Sequence, residues 1–120
     1  MLHQDLTEIV IASAIEISKE LGPGFLESVY EKSLQVVLLQ KGLGVELQVP
    51  LAVTFRGVTV GSFYADMIVD GKVLVELKAV TRILGEHKAQ VINYLKATNI
   101  DVGLLINFGT PRAEYFRLHK

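Results

Sequence analysis

The chain has no cysteine and no tryptophan. Without cysteine there is no disulfide framework and no thiolate metal site. Proline occurs only 3 times, and no proline-rich linker, low-complexity segment or internal repeat interrupts the chain. An excess of one charge is also missing, since 12 basic and 13 acidic residues leave a net charge of −1. That balance excludes a domain that grips nucleic acid through bulk positive charge. Any such binding needs a local cluster or a bound metal. No apolar run is long enough to span a bilayer. The first residues, Met1 to Asp5, lack the basic-then-apolar pattern of a secretory signal. The expectation is a cytoplasmic chain with no membrane segment.

The chain has 120 residues, half of them hydrophobic, which is enough for one core and one domain spanning 1–120. Its most informative stretch runs from Tyr64 to Lys78. It reads as two Val-, Ile- and Leu-rich strands joined at Asp70-Gly71, a pair with turn chemistry. Asp66, Glu76 and Lys78 interrupt the apolar pattern. A charge in a buried strand is costly unless it is paired or binds a metal. Side chains alternate along a strand, so Glu76 and Lys78 share a face. A two-residue loop at Asp70-Gly71 would pair Asp66 with Val75 and send Glu76 to the opposite face. The expected loop has three residues, Val69-Asp70-Gly71, and pairs Asp66 with Leu74 and Tyr64 with Glu76. Asp66, Glu76 and Lys78 then lie on one face, with the two carboxylates diagonal neighbours roughly 7–8 Å apart at Cα.

Around this stretch the periodicity predicts helices over about residues 5–21, 26–41 and 85–98. The first shows Leu6, Ile9, Val10, Ser13, Ile17 and Leu21 at helical spacing. Asp5 with Glu8 resembles a capping box. Gly22-Pro23-Gly24 ends that helix. Strands are expected over 46–55, 58–69, 73–80, 104–108 and 114–118, with Pro50 marking an edge, a bulge or a strand start and a bend near Gly61. The order ααβββαβ(β) indicates an α/β (α+β) fold with a central mixed sheet flanked by helices.

Two carboxylates, Asp66 and Glu76, can hold Mg²⁺, with the backbone carbonyl of Leu77 as a further ligand. Lys78 can orient an attacking water or stabilise a transition state. These roles define metal-assisted phosphodiester hydrolysis. A partly buried salt bridge from Glu76 or Asp66 to Lys78 explains the same residues, and both readings stay open. Gln90 and Tyr94 share a helix face, either toward the carboxylates or with Tyr94 in the core and Gln90 at the surface. His87, one turn earlier, can contact a phosphate or be incidental. Glu27 can serve a site or complement the dipole of its helix.

Gly24-Phe25-Leu26-Glu27-Ser28-Val29-Tyr30 resembles the signature of the GxxExxY proteins. The runs Glu20 to Gly24, Val75 to Val80, Ala89-Gln90 with Asn93 to Thr98, and Gly103 to Gly109 resemble the same family, so the likeness covers nearly the whole chain. Where members of that family often carry a histidine near the end of the first helix, this chain has Ser18. The family is placed in the PD-(D/E)XK nuclease superfamily, of the RecB and lambda-exonuclease type. The resemblance implies a restriction-endonuclease-like core and a site made of Glu27, Asp66, Glu76, Lys78, Gln90 and Tyr94. The expected function is a Mg²⁺- or Mn²⁺-dependent nuclease acting on DNA. Asp66, Glu76 and Leu77 are then the metal ligands, with Lys78 and Glu27 completing the catalytic set. Gln90, Tyr94, Tyr30 and His87 are the expected substrate contacts. A non-catalytic module that binds nucleic acid or protein, and a homodimer formed through the apolar first helix, are the alternatives.

Overall fold

Pro23 cannot continue a helix and Gly22 adopts a positive φ of 69°, so the N-terminal helical run breaks into two. A computed structural model covers residues 1–120 and places α1 at Gln4–Leu21 and α2 at Glu27–Gln40. The first turn of α1 is not closed by the expected Asp5–Glu8 box. Its N-cap is His3, with no side-chain cap bond, and the Gln4 amide donates to Glu8 Oε1 at 3.1 Å instead. The strands are β1 (Val45–Phe55), β2 (Val58–Val69), β3 (Val73–Lys78), β4 (Val102–Asn107) and β5 (Glu114–His119). Helix α3 (Gly85–Lys96) connects β3 to β4.

The five strands form one sheet in the order β1-β2-β3-β4-β5. Only β3 and β4 are parallel, as a helical crossover requires. Every residue of β4, and all of β3 except Lys78, is buried. Apart from Glu76, their predominantly apolar sequences are those of strands covered on both faces. On one face, Val10, Ala14 and Ile17 of α1 and Tyr30, Leu34 and Leu38 of α2 pack on Met67, Val69, Val75 and Leu104. On the other, Val91, Tyr94 and Leu95 of α3 pack on Ile68, Leu74 and Leu105.

The β2–β3 loop has three residues but lies one position later than expected. It is Asp70-Gly71-Lys72, flanked by the pair Val69–Val73. The Lys72 N–H closes it on Val69 O at 3.0 Å, with φ of 52° at Asp70 and 65° at Gly71. The cause is a contact distant in sequence. Asp70 donates its N–H to Gly44 O (2.8 Å) and its Oδ1 accepts the Gly44 N–H (2.7 Å), which draws Asp70 away from β3. The register is therefore corrected: Met67 pairs with Val75 and Ile68 with Leu74, and Asp66 falls opposite Glu76, not Leu74.

A second irregularity lies beside Asp66. Leu47 and Val49 should share a face, yet Leu47 packs in the α1–α2 layer and Val49 in the α3 layer. Met67 and Ala65 divide the same way on β2. Between them Gln48 has φ 50°, an uncommon value for a residue with a Cβ. The β1–β2 pair thus changes face at Gln48 and Asp66. Beyond this point it continues as an arm, with a bulge at Val53/Thr54 next to Gly61. Pro50 sits in β1, an edge strand, where a missing N–H is tolerated.

The exit of β3 is held by Asn107, which is fully buried. Its Oδ1 accepts the N–H groups of Val80 and Gly109 (both 3.0 Å), and its Nδ2 donates to Val80 O (2.9 Å) and Glu114 Oε1 (3.1 Å). Gly109 is packed so closely that a Cβ would stand 2.1 Å from Val80 O and 2.4 Å from Val80 N. Gly109→Ala is expected to destabilise the fold by about 3 kcal/mol or more, because the obstacle is backbone that must shift. Gly85→Ala, with open space at its Cβ, is expected to be close to neutral. Chemical denaturation of both variants measures the contrast.

Candidate active site

Past Met67 the β2–β3 ladder ends, and two side chains replace it. Glu76 Oε1 accepts the backbone N–H of Asp66 at 2.9 Å, and Asp66 Oδ2 accepts the backbone N–H of Leu77 at 2.9 Å. Each carboxylate satisfies a donor across the gap. Glu76 is only 5% exposed. Its pKa is pushed up to about 8, first by burial and then by the charge of Asp66, with Lys78 opposing.

Lys78 follows on the same side of β3, half-buried. The ion pairs of the molecule are Lys41–Glu16 and Lys120–Asp101; Lys78 forms none within 4.0 Å, so the salt-bridge explanation of these charges has no contact behind it. From α3, Gln90 Nε2 donates to the Tyr94 hydroxyl at 3.1 Å. The pKa of Tyr94 is raised by burial, then by Glu76 and Asp66. Tyr94 packs in one cluster with Ala65 and Leu74, which adjoin the pair along β2 and β3.

The remaining expected residues are more dispersed. Glu27 is the first residue of α2, is exposed, and makes no hydrogen bond to the pair. Leu77 is buried and meets Asp66 through its N–H. His87 Nδ1 accepts the N–H of Leu84 at 3.0 Å, capping α3, which leaves Nε2 as its free nitrogen. Tyr30 is corrected outright as a substrate contact. It is 0% exposed and stacks on Phe108 at 4.5 Å between centroids. Its hydroxyl donates to Gly22 O (2.6 Å) and accepts the Phe25 N–H (3.2 Å). It fastens the α1–α2 loop and presents no surface to a ligand. Ser18, at the position of the departure from the resembling family, is buried and its Oγ accepts the Ala113 N–H at 2.8 Å.

Two residues beside the pair were not anticipated. Gln48 Nε2 reaches Asp66 Oδ1 at 3.3 Å and Glu31 Oε1 at 3.1 Å. Glu31, one turn after Glu27, is thus the helix carboxylate connected to Asp66. The i, i+4 spacing of the two glutamates was the available signal; nothing local marked Gln48. No three Asp, Glu or His side chains converge as a metal-binding group. The donor set still suits a hard cation. One oxygen of each carboxylate is committed to a backbone N–H, while Glu76 Oε2 is free and Asp66 Oδ1 has only the long Gln48 contact. Two such ligands suit an ion that keeps most of its waters.

This is an α+β domain with a carboxylate pair at the point where two central strands part. It belongs to the PD-(D/E)XK nuclease superfamily, whose family model matches residues 4–118. The fold is similar to that in a crystal structure of SSO0001, with a TM-score of 0.59 and 17% identity over 96% of this chain. The chain spans 65% of that protein's length. No curated protein matches the sequence.

A raised pKa in the folded state means that the native protein holds a proton the unfolded chain has released. Stability from Glu76 is thus fully present below its ordinary value of 4.5 and is lost as pH rises toward about 8. In EDTA, urea denaturation is expected to show stability falling by a few kcal/mol across that window. Glu76→Gln, which keeps an oxygen for the Asp66 N–H, is expected to flatten the fall.

Proposed function

We propose that this protein is a divalent-metal-dependent nuclease that hydrolyses phosphodiester bonds in DNA, acting in the cytoplasm. The observation that carries the reading is the Asp66–Glu76 pair. A 5%-exposed glutamate stands against a second carboxylate, an arrangement that favours a cation. Asp66 and Glu76 would hold Mg²⁺ or Mn²⁺, with the Leu77 carbonyl as a further ligand. Such an ion, when bound, supplies an activated water and neutralises charge on the phosphate.

The other roles fall to the chain's own groups. Lys78 donates to the phosphate oxygen or to the attacking water and so stabilises the charge that develops. Gln90 and Tyr94 orient the phosphate, since the hydroxyl that accepts from Gln90 keeps its own proton to donate. Glu31 acts through Gln48 as a positioning residue for Asp66. Glu27, exposed on α2, is left for the substrate side. His87 offers Nε2 to a more distant phosphate.

A second reading is a binding module of the same fold without turnover. The absence of a third converging acidic ligand favours it. The two readings differ in metal linkage, because a bound ion stabilises the native state by mass action.

Cleavage of single- and double-stranded DNA with Mg²⁺, Mn²⁺ and EDTA is the test. Activity is expected only with metal, and to fall by about a hundredfold or more in an Asp66→Ala, Lys78→Ala double variant. Undiminished cleavage by that variant would remove the assignment. A melting temperature indifferent to Mg²⁺ at pH 8, together with no cleavage, would establish the binding module.

A further inference from the structure

A groove of about 720 Å³ runs between the β1–β2 arm and α3. Val53 and Phe63 form one wall, and Ala89, Gln90, Asn93 and Tyr94 the other. Gln90 and Tyr94 are also the helix residues of the candidate active site, so the groove and that site share these two side chains. We infer that this groove receives an unpaired nucleobase of the substrate strand, stacked on the exposed ring of Phe63, which itself packs against Tyr94, next to the phosphate held at Asp66 and Glu76.

The character of the groove selects a base over a phosphate. One acid, Glu86, and one base, Lys96, line it, and their charges cancel. Between Gln48 and Asp66 the arm carries a single charge, Arg56, which lies 5.0 Å over the neighbouring Phe55 ring. A duplex is drawn to proteins through its phosphates, and this surface offers them almost nothing. A nucleobase needs no charge, because every base has a π-face that stacks on an aromatic ring. Phe63 is 43% exposed. Its ring lies 5.6 Å from that of Tyr94 at 41°, a tilt that leaves the two rings unstacked on each other. Asn93, exposed on α3, presents an amide that can both donate to and accept from a base edge. Bases inside a duplex are already stacked on both faces and are costly to extrude, whereas a single strand or an opened end supplies one without that cost. The substrate class is therefore single-stranded or end-frayed DNA.

The position of the base relative to a scissile phosphate rests on the nuclease reading; binding of the base does not, and the test separates them. Affinities are measured with Ca²⁺ for a labelled oligothymidylate, an abasic oligomer of equal length and a duplex. The proteins compared are the wild type, Phe63→Ala, Phe63→Tyr and Asn93→Ala, each checked for an unchanged melting temperature. Oligothymidylate is expected to bind at least about fivefold tighter than the abasic oligomer and tighter than the duplex. Phe63→Ala is expected to abolish that preference and Phe63→Tyr to keep it. Equal binding of the abasic oligomer, tighter binding of the duplex, no binding at all, or a preference that survives Phe63→Ala would overturn the inference, and a groove that takes protein would appear among these outcomes. Cleavage is followed in parallel. Base-dependent binding without cleavage removes the nuclease reading and leaves the groove, whereas equal cleavage of both strand forms by wild type and Phe63→Ala removes the groove alone.

Discussion

Between Asp66 and Glu76 two strands of a central sheet exchange backbone bonds for side-chain bonds, and much of the molecule follows from that exchange. Two carboxylates directly opposite each other on a regular ladder would repel at close range. Here the strands part, and each carboxylate accepts the N–H that the parting strands would otherwise leave unpaired. A buried N–H without a partner costs about as much as a lost hydrogen bond, so the acids are part of the sheet as well as of the site. No buried side-chain polar atom lacks a partner. The charges that look misplaced in an apolar strand are what closes its hydrogen bonding.

The rest of the scaffold fixes the groups around this fork. Parallel pairing of β3 with β4 runs to Lys78–Asn107. There Asn107 binds both backbone polar groups of Val80, which holds the chain as it leaves the sheet for α3. The crossover then returns α3 over the same face, with Leu74 and Tyr94 in one cluster. Gln90 and Tyr94 thereby lie on the helix that covers the Leu74 face of β3. On the other side, the left-handed Gln48 joins Asp66 to α2 through Glu31. Strain of this kind costs about 1–3 kcal/mol and persists where the surroundings over-determine it. Here the surroundings are an edge strand, a helix carboxylate and a site carboxylate.

The element order, the mixed sheet and the helices on both faces were readable because their causes are local. Gly22-Pro23-Gly24 breaks a helix wherever it occurs, and the apolar runs of β3 and β4, broken in β3 by Glu76 alone before Lys78 ends it, leave little but doubly covered strands. Asp66, Glu76 and Lys78 stood out for the same reason, as charges among Val, Ile and Leu. What escaped reading depends on contacts distant in sequence. The loop register turns on Asp70 binding Gly44, 26 residues away. Tyr30 lies in the stretch that carries the family resemblance and was expected at the substrate, yet the partners of its hydroxyl are backbone atoms of the preceding loop. Gln48 could not be found from sequence, since a positive φ at glutamine has no local signature. The candidate site was thus legible in its acids and its lysine, and much less so in the shell that orients them.

That shell bears on how protons and cations are shared. With Glu76 near pH 8, the metal-free pair carries less than two full negative charges at neutral pH, and a divalent ion would draw the remaining proton off. Tyr94 responds to the same field in the opposite sense to an activated phenol: burial and the nearby acids hold its proton on. The Tyr94 oxygen accepts the Gln90 N–H on a lone pair, so the phenolic hydrogen is left to point elsewhere. A neutral donor beside an acidic pair suits an incoming anion better than another base would. It also adds no positive charge that would compete with a cation for the carboxylates. The same ring forms one side of the apolar groove. Tyr94 therefore stands where a charged backbone and an uncharged base would meet, polar at its tip and apolar along its face.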